Sequence, residues 1–263
     1  MSETIMLWPD DYRDGKDENG FAPILEPYLL RGAESCGTVL VLPGGGYCNR
    51  AQHEGGPIAE KFNAAGINAF VLQYRVVPAQ HPAPVADAAR ALRIIRGGAK
   101  RWNLDPDKIA ICGFSAGGHL AGSLGVHFDK PFCAPQAFEA PVSSRPDALI
   151  LCYPVISSGE FAHRGSFVNL LGEDAPDDAL ELMALERNVT AQTPPTFLWH
   201  TASDTCVPVE NSLLFASALN AKKVPFELHV YPEGNHGLGL AEQQPHVATW
   251  AELCSEWLIG MGW

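Results

Sequence analysis

Lys108-Ile109-Ala110-Ile111-Cys112-Gly113-Phe114-Ser115-Ala116-Gly117-Gly118-His119-Leu120-Ala121-Gly122 is the stretch whose reading decides the fold. Its first five residues form a short run dominated by apolar side chains, which predicts a buried strand. From Ser115 onward the residues are small and helix-like. Between the two, glycines stand two positions before and two after Ser115. A strand that passes into a helix through Gly-x-Ser-x-Gly needs a sharp turn, in which neighbouring backbone comes too close for side chains. The small residues that follow let the helix approach the sheet, and its N-terminus directs free N–H groups and a positive dipole end at the serine. The competing reading is a Gly-rich turn with Ser115 as an ordinary N-cap. A phosphate loop fits less well, because no Lys follows the glycines and the spacing is not Gly-x-Gly-x-x-Gly.

The same rhythm extends outward in both directions. Strands are predicted at residues 24–30, 38–42, 68–73, 148–153, 196–200 and 226–231, and helices at 57–65, 85–96, 209–221 and 244–259. Short apolar strands alternating with helices mean an α/β fold with a mostly parallel central sheet covered on both faces. Residues 9–23, rich in Asp, Gly and Pro, are expected to be irregular. The stretch 154–195 breaks the rhythm with Gly159, Gly165, Gly172 and Pro176, then an acidic helical piece over 177–187. It reads as a short cap inserted at the carboxyl edge of one domain spanning 1–263.

Two loops downstream supply partners for Ser115. His200-Thr201-Ala202-Ser203-Asp204-Thr205-Cys206-Val207-Pro208 leaves the carboxyl end of a predicted strand, and so does Tyr231-Pro232-Glu233-Gly234-Asn235-His236-Gly237-Leu238. Ser115, Asp204 and His236 therefore share one edge of the sheet and occur in the order Ser, acid, His. A serine hydroxyl is a poor nucleophile at its own pKa and needs a base that titrates near neutrality. His236 is the candidate base, and Asp204 the group that fixes its tautomer and stabilises the imidazolium. Glu233 and Asp174 are the other acids considered. Glu233 is too close to His236 along the chain, and Asp174 falls in the cap.

Pro43-Gly44-Gly45-Gly46-Tyr47 follows another predicted strand at the same edge. Without Cβ atoms its backbone N–H groups are free to approach a substrate oxygen. Gly45 and Gly46, with the N–H of Ala116, are the expected oxyanion donors.

Composition narrows the remaining classes. Of 263 residues, 46% are hydrophobic and 18% charged, and the net charge is −12. No Lys/Arg run stands out, which disfavours nucleic acid and anionic membrane partners. Seven dispersed cysteines, with no Cys-x-x-Cys pair, suggest reduced thiols in a cytoplasmic protein. No basic region and apolar run open the chain, so no signal peptide is read. No apolar stretch approaches the ~20 residues of a membrane span. His, Cys and carboxylates lack metal-ligand spacing, so neither a metal nor a cofactor is expected. Oligomeric state is left open, a homo-oligomer included.

Taken together, these pieces resemble the esterase side of the α/β-hydrolases, especially bacterial carbohydrate esterases that remove acetyl or feruloyl groups from xylan and its oligosaccharides. The resemblance rests on the glycine loop, the Gly113–Gly117 turn, Leu72-Gln73-Tyr74-Arg75-Val76-Val77-Pro78, residues 82–91, Asp204-Thr205-Cys206-Val207-Pro208 and His236-Gly237-Leu238. It spans most of residues 35–258 and weakens through the cap. Pro43 stands where many relatives carry His. The resemblance implies an α/β-hydrolase fold and a metal-free serine esterase acting on short acyl esters, such as acetylated sugars or xylo-oligosaccharides. General acetylesterases, formamidase-like hydrolases and relatives of serine peptidases share the same motifs. An amide hydrolase therefore remains a second reading, and a non-catalytic binding protein on this scaffold a third. Tyr74, Arg75 and Asp87 are read as structural ties, His119 as packed inside, and His200 as a buried neighbour of Asp204.

Overall fold

The computed structural model describes residues 3–30, 32, 36–139 and 141–263; Met1 and Ser2 of the amino-terminal reading lie outside them. The described residues form an eight-stranded sheet in the order β1-β2-β4-β3-β5-β6-β7-β8. The strands are β1 (Ile5–Met6), β2 (Ile24–Tyr28), β3 (Cys36–Leu42), β4 (Asn68–Gln73), β5 (Leu104–Phe114), β6 (Ala148–Cys152), β7 (Thr196–Thr201) and β8 (Phe226–Tyr231). β1 and β2 are antiparallel additions at one edge, and all pairings from β4 to β8 are parallel. This is the α/β-hydrolase architecture.

The central strands β3, β4, β6 and β7 are buried nearly along their whole length, as is β5 from Ile109 onward, because helices cover both faces of the sheet. Pleating sends alternate residues to opposite sides. Leu40, Leu42, Ile109, Ile111, Leu149 and Leu151 enter one hydrophobic cluster, while Val39, Val41, Ala110, Cys112, Ala148 and Ile150 enter the other. The helices are α1 (Gly56–Ala64), α2 (Ala83–Gly97), α3 (Ala99–Trp102), α4 (Ala116–His127), α5 (Arg164–Leu171), α6 (Asp177–Leu182), α7 (Glu210–Ala221), α8 (Pro245–Ala248) and α9 (Trp250–Gly260). α2 and α4 pack in the first cluster, α1 and α9 in the second. No helix among the described residues is long and apolar enough to cross a membrane.

Two expected helices are divided. The carboxyl-terminal one breaks into α8 and α9 at Thr249, whose hydroxyl donates to His246 O at 2.6 Å. The acidic piece 177–187 ends as α6 at Leu182 and resumes as a 3-10 turn, Leu185–Arg187. There the Asn188 side-chain amide donates to the carbonyls of Glu181, Leu182 and Ala184 and ties the two pieces together.

The helix that follows Ser115 has unusual surroundings. All twelve residues of α4 are buried. The sheet covers one side, and the segment between β6 and β7 covers the other. His119 Nε2 and His127 Nε2 donate to Met183 O and Leu182 O at 3.0 and 2.8 Å.

Candidate active site

Ser115 caps β5 with φ +53° and ψ −118°, a backbone region costly for a non-glycine residue. The surroundings hold it there. Its N–H donates to Cys152 O at 3.0 Å, and its carbonyl accepts from His119 N at 3.0 Å and Val155 N at 3.1 Å. The flanking glycines are required by close approach. A Cβ on Gly113 would stand 2.0 Å from Gly117 O, and one on Gly117 would stand 2.3 Å from Leu42 O.

β7 and β8 bring the two downstream loops to the same edge. His236 Nε2 lies 2.7 Å from Ser115 Oγ, and His236 Nδ1 lies 2.6 Å from Asp204 Oδ2. A carboxylate only accepts, so Nδ1 carries the proton, and Nε2 accepts from the serine hydroxyl. The other Asp204 oxygen accepts from the amides of Cys206 (2.9 Å) and Val207 (3.0 Å). Burial alone would raise the Asp204 carboxyl, but hydrogen bonds from His200, His236 and the Val207 amide outweigh it and hold the group well below the usual carboxylate range. His200 itself is fully buried, with Nδ1 2.8 Å from Ser212 Oγ and Nε2 2.9 Å from Val207 O. Glu233 and Asp174 are both exposed and take no part in this relay.

The glycine loop passes beside the serine. A Cβ on Gly44 would stand 3.0 Å from Ser115 Cβ. Gly45 and Gly46 have φ +125° and +62°, conformations that favour glycine. The Gly44 N–H is occupied by Glu54 Oε2 at 2.7 Å. Among the described residues no acceptor takes the amides of Gly45 or Gly46. Ala116, as first residue of α4, has an N–H that precedes the helix's own hydrogen bonds. The loop's carbonyls are anchored instead. Pro43 O accepts from Tyr74 Oη at 2.6 Å, Gly45 O from the amides of Cys48 and Asn49, and Gly46 O from Asn169 Nδ2 of α5 at 2.8 Å. Tyr47 Oη meets the buried His119 Nδ1 at 2.8 Å.

The remaining expectations resolve as packing. Arg75 and Asp87 form a buried ion pair at 2.6 Å, which also accepts from Trp8 Nε1 at 2.7 Å. Sequence reasoning did not single out Glu54, Tyr153, His163, Ser166 or Asn169. His163 opens α5, with Nδ1 2.8 Å from Ser166 Oγ. Burial pushes its imidazole pKa down; His236 adds to that and Asp204 opposes it. Among the described residues no group of three His, Cys or carboxylate side chains is arranged to hold a metal ion.

Comparison with known proteins bears on the family and the fold. Residues 28–219 match the BD-FAE family. The chain is 44% identical over 243 residues to a Butyrivibrio fibrisolvens protein named endo-1,4-beta-xylanase B, covering 90% of this chain and 38% of that protein. It is 32% identical over 230 residues to an acetylxylan esterase of Xylanibacter ruminicola, covering 85% of this chain and 44% of that one. The chain thus spans less than half the length of these curated relatives. A crystal structure of an acetyl ester-xyloside bifunctional hydrolase from Caldicellulosiruptor lactoaceticus superposes with a TM-score of 0.93 at 48% identity, over 99% of this chain and 96% of that one. With a family match over most of its length, and a relative this similar over nearly all of it, the chain belongs to the BD-FAE family of α/β-hydrolases.

Proposed function

We propose that this chain is a serine carboxylic ester hydrolase that works through an acyl-enzyme on short acyl esters, with acetylated sugars or xylo-oligosaccharides as its substrates. The observation that carries this reading is the continuous relay from Asp204 through His236 to Ser115, at 2.6 and 2.7 Å. His236 Nε2 takes the Ser115 proton as Oγ attacks the ester carbonyl, then gives it to the leaving alcohol. Asp204 holds Nδ1 protonated and stabilises the imidazolium. Gly45, Gly46 and Ala116 donate to the tetrahedral oxyanion, each such donor contributing roughly 2.7–4 kcal/mol to the transition state. Water, activated by the same histidine, then releases the acid.

The substrate class is supported by the names of the acetylxylan esterase and the acetyl ester-xyloside hydrolase that the chain resembles. We read residues 154–195 as a cap over the site, which favours soluble oligosaccharides over polymer. A cytoplasmic setting is supported by seven cysteines that are all free thiols. The test is hydrolysis of p-nitrophenyl acetate by wild type, Ser115→Ala and His236→Ala; equal rates in all three would remove the mechanism. A panel of acetylated xylo-oligosaccharides, intact xylan, N-formyl amides and peptide amides then decides the substrate. Faster turnover of the amides would replace the esterase reading with an amidase one.

A further inference from the structure

Glu54 is a carboxylate in the centre of the molecule that none of the steps above uses. It ends a short 3-10 turn just beyond the glycine loop and is 2% exposed. Burying a carboxylate carries a large desolvation cost unless hydrogen bonds compensate it. Here the compensation comes from two separate parts of the site. Oε2 accepts the Gly44 N–H at 2.7 Å, and Oε1 accepts the Tyr153 hydroxyl at 2.6 Å. The Tyr153 oxygen in turn accepts the Gly239 N–H at 2.8 Å, three residues beyond His236. The Tyr153 ring meets the His236 ring edge-on, with centroids 5.1 Å apart. Tyr153 is itself buried at φ +36°, a conformation its surroundings must hold.

The chain of contacts therefore runs from the glycine loop through Glu54 and Tyr153 to the histidine loop. Gly44 sits directly before the two proposed oxyanion donors, so fixing its peptide fixes the direction of the next two. Gly239 is held from its other side by Trp250 Nε1, which donates to its carbonyl at 3.0 Å. His53, next to Glu54, meets Gly237 O at 2.9 Å.

We propose that Glu54 is a positioning residue that sets the oxyanion loop and, through Tyr153, the histidine loop against Ser115. Resting on the ester-hydrolase reading, the inference adds a shared anchor for two catalytic parts that arrive from different strands. An acceptor with two lone-pair-bearing oxygens is needed, because both partners are donors. Glutamine has the same shape but presents one oxygen and one NH2 group. If its NH2 faces Gly44, two donors confront each other. If it faces Tyr153, the hydroxyl loses its acceptor.

The experiment is steady-state hydrolysis of p-nitrophenyl acetate by wild type, Glu54→Gln, Tyr153→Phe and the double variant, each assayed well below its own unfolding temperature. Misaligned donors act on the transition state more than on ground-state binding, so kcat is expected to fall about 10–100-fold with KM within about twofold. The double variant is expected to be far less damaged than the product of the two single losses, since both interrupt one connection. A kcat within twofold of wild type in either folded single variant, with only the unfolding temperature lowered, would make Glu54 a purely structural group and overturn the proposal. A raised KM at unchanged kcat would overturn it equally. Should Glu54→Gln not fold, Tyr153→Phe decides alone, because it leaves the Gly44 contact in place. Absence of ester hydrolysis in the wild type would instead overturn the esterase reading beneath the inference.

Discussion

His200 Nε2 stands 3.4 Å from Asp204 Oδ2, the same oxygen that receives the His236 proton donor. The acid of the relay is therefore held by a second histidine, which is buried and itself fixed by Ser212 and Val207. Asp204→Asn would keep an oxygen for the Cys206 and Val207 amides while turning its NH2 towards His236 Nδ1. The imidazole would then adopt the tautomer that cannot accept from Ser115. We expect kcat on p-nitrophenyl acetate to drop by about 10⁴ with the fold intact, as single-turnover kinetics and circular dichroism would record. A loss below tenfold would remove Asp204 from its assigned role.

The contact between α5 and the glycine loop gives a smaller, separate prediction. Asn169→Ala deletes the donor to Gly46 O while leaving the triad untouched. The loop would gain freedom at the proposed oxyanion donors. One such hydrogen bond corresponds to about 1.4 kcal/mol, or roughly tenfold in kcat, with little change in thermal stability because Asn169 is only half-buried. Parallel melting curves and initial rates separate the two effects.

His119 predicts a pH dependence of stability. Burial pushes its pKa down to about 4, with the hydrogen bond to Met183 O offsetting part of the shift. The unfolded chain, with an ordinary value near 6.5, binds the proton more readily across that interval. Stability from this group is thus complete above about pH 6.5 and is lost as pH falls towards 4, by an amount on the order of 3 kcal/mol. The partly buried His81 and the buried His127 are shifted in the same direction, chiefly by desolvation. Urea denaturation at pH 7, 5.5 and 4.5 is expected to show this slope, and His119→Gln to flatten it. Identical slopes in the two proteins would assign the effect elsewhere.

The ion pair of Arg75 and Asp87 is expected to matter for folding and not for chemistry. Asp87 is fully buried and accepts from Arg75, the Arg75 amide and Trp8. Asp87→Ala would leave a guanidinium buried without its counter-charge, a loss of about 3–5 kcal/mol in unfolding free energy. Equilibrium urea titration measures it directly, and kcat of the remaining folded fraction is expected to stay near wild type.

The parts legible in the sequence are those carried by local pattern. β4 and β8 run over the residues expected: β4 is apolar from Ala69 to Leu72 after the turn at Gly66, and β8 alternates Phe226, Leu228 and Val230 with polar residues between Pro225 and Pro232. Ser115, Asp204 and His236 were identifiable because each follows such a strand and their order along the chain is that of the fold. Glu54, Tyr153 and Asn169 left no comparable mark. Glu54 lies in Asn49-Arg50-Ala51-Gln52-His53-Glu54, which reads as a solvated loop. Its burial arises only when β6 and the histidine loop close over it. Tyr153 reads as the last residue of a strand, and its turn to positive φ is set by packing. The division at Thr249 likewise depends on one side-chain hydrogen bond, which helical periodicity does not register.

The burial of α4 on every side has a consequence for how this protein can diverge. The residues that cover its outer face, Met183 and Leu185, belong to the hydrophobic core as fully as the sheet does. α5, upstream in the same segment, buries Phe167 and Leu170 and carries the Asn169 contact to the glycine loop. Between these two fixed stretches lie residues 172–181, none of them buried. Lineages are therefore free to lengthen, shorten or recharge that interval while the serine and its helix stay where they are. Tolerant and fold-bearing stretches are thus adjacent but separable within one connection, and insertions among relatives are expected to accumulate in the first and spare the second.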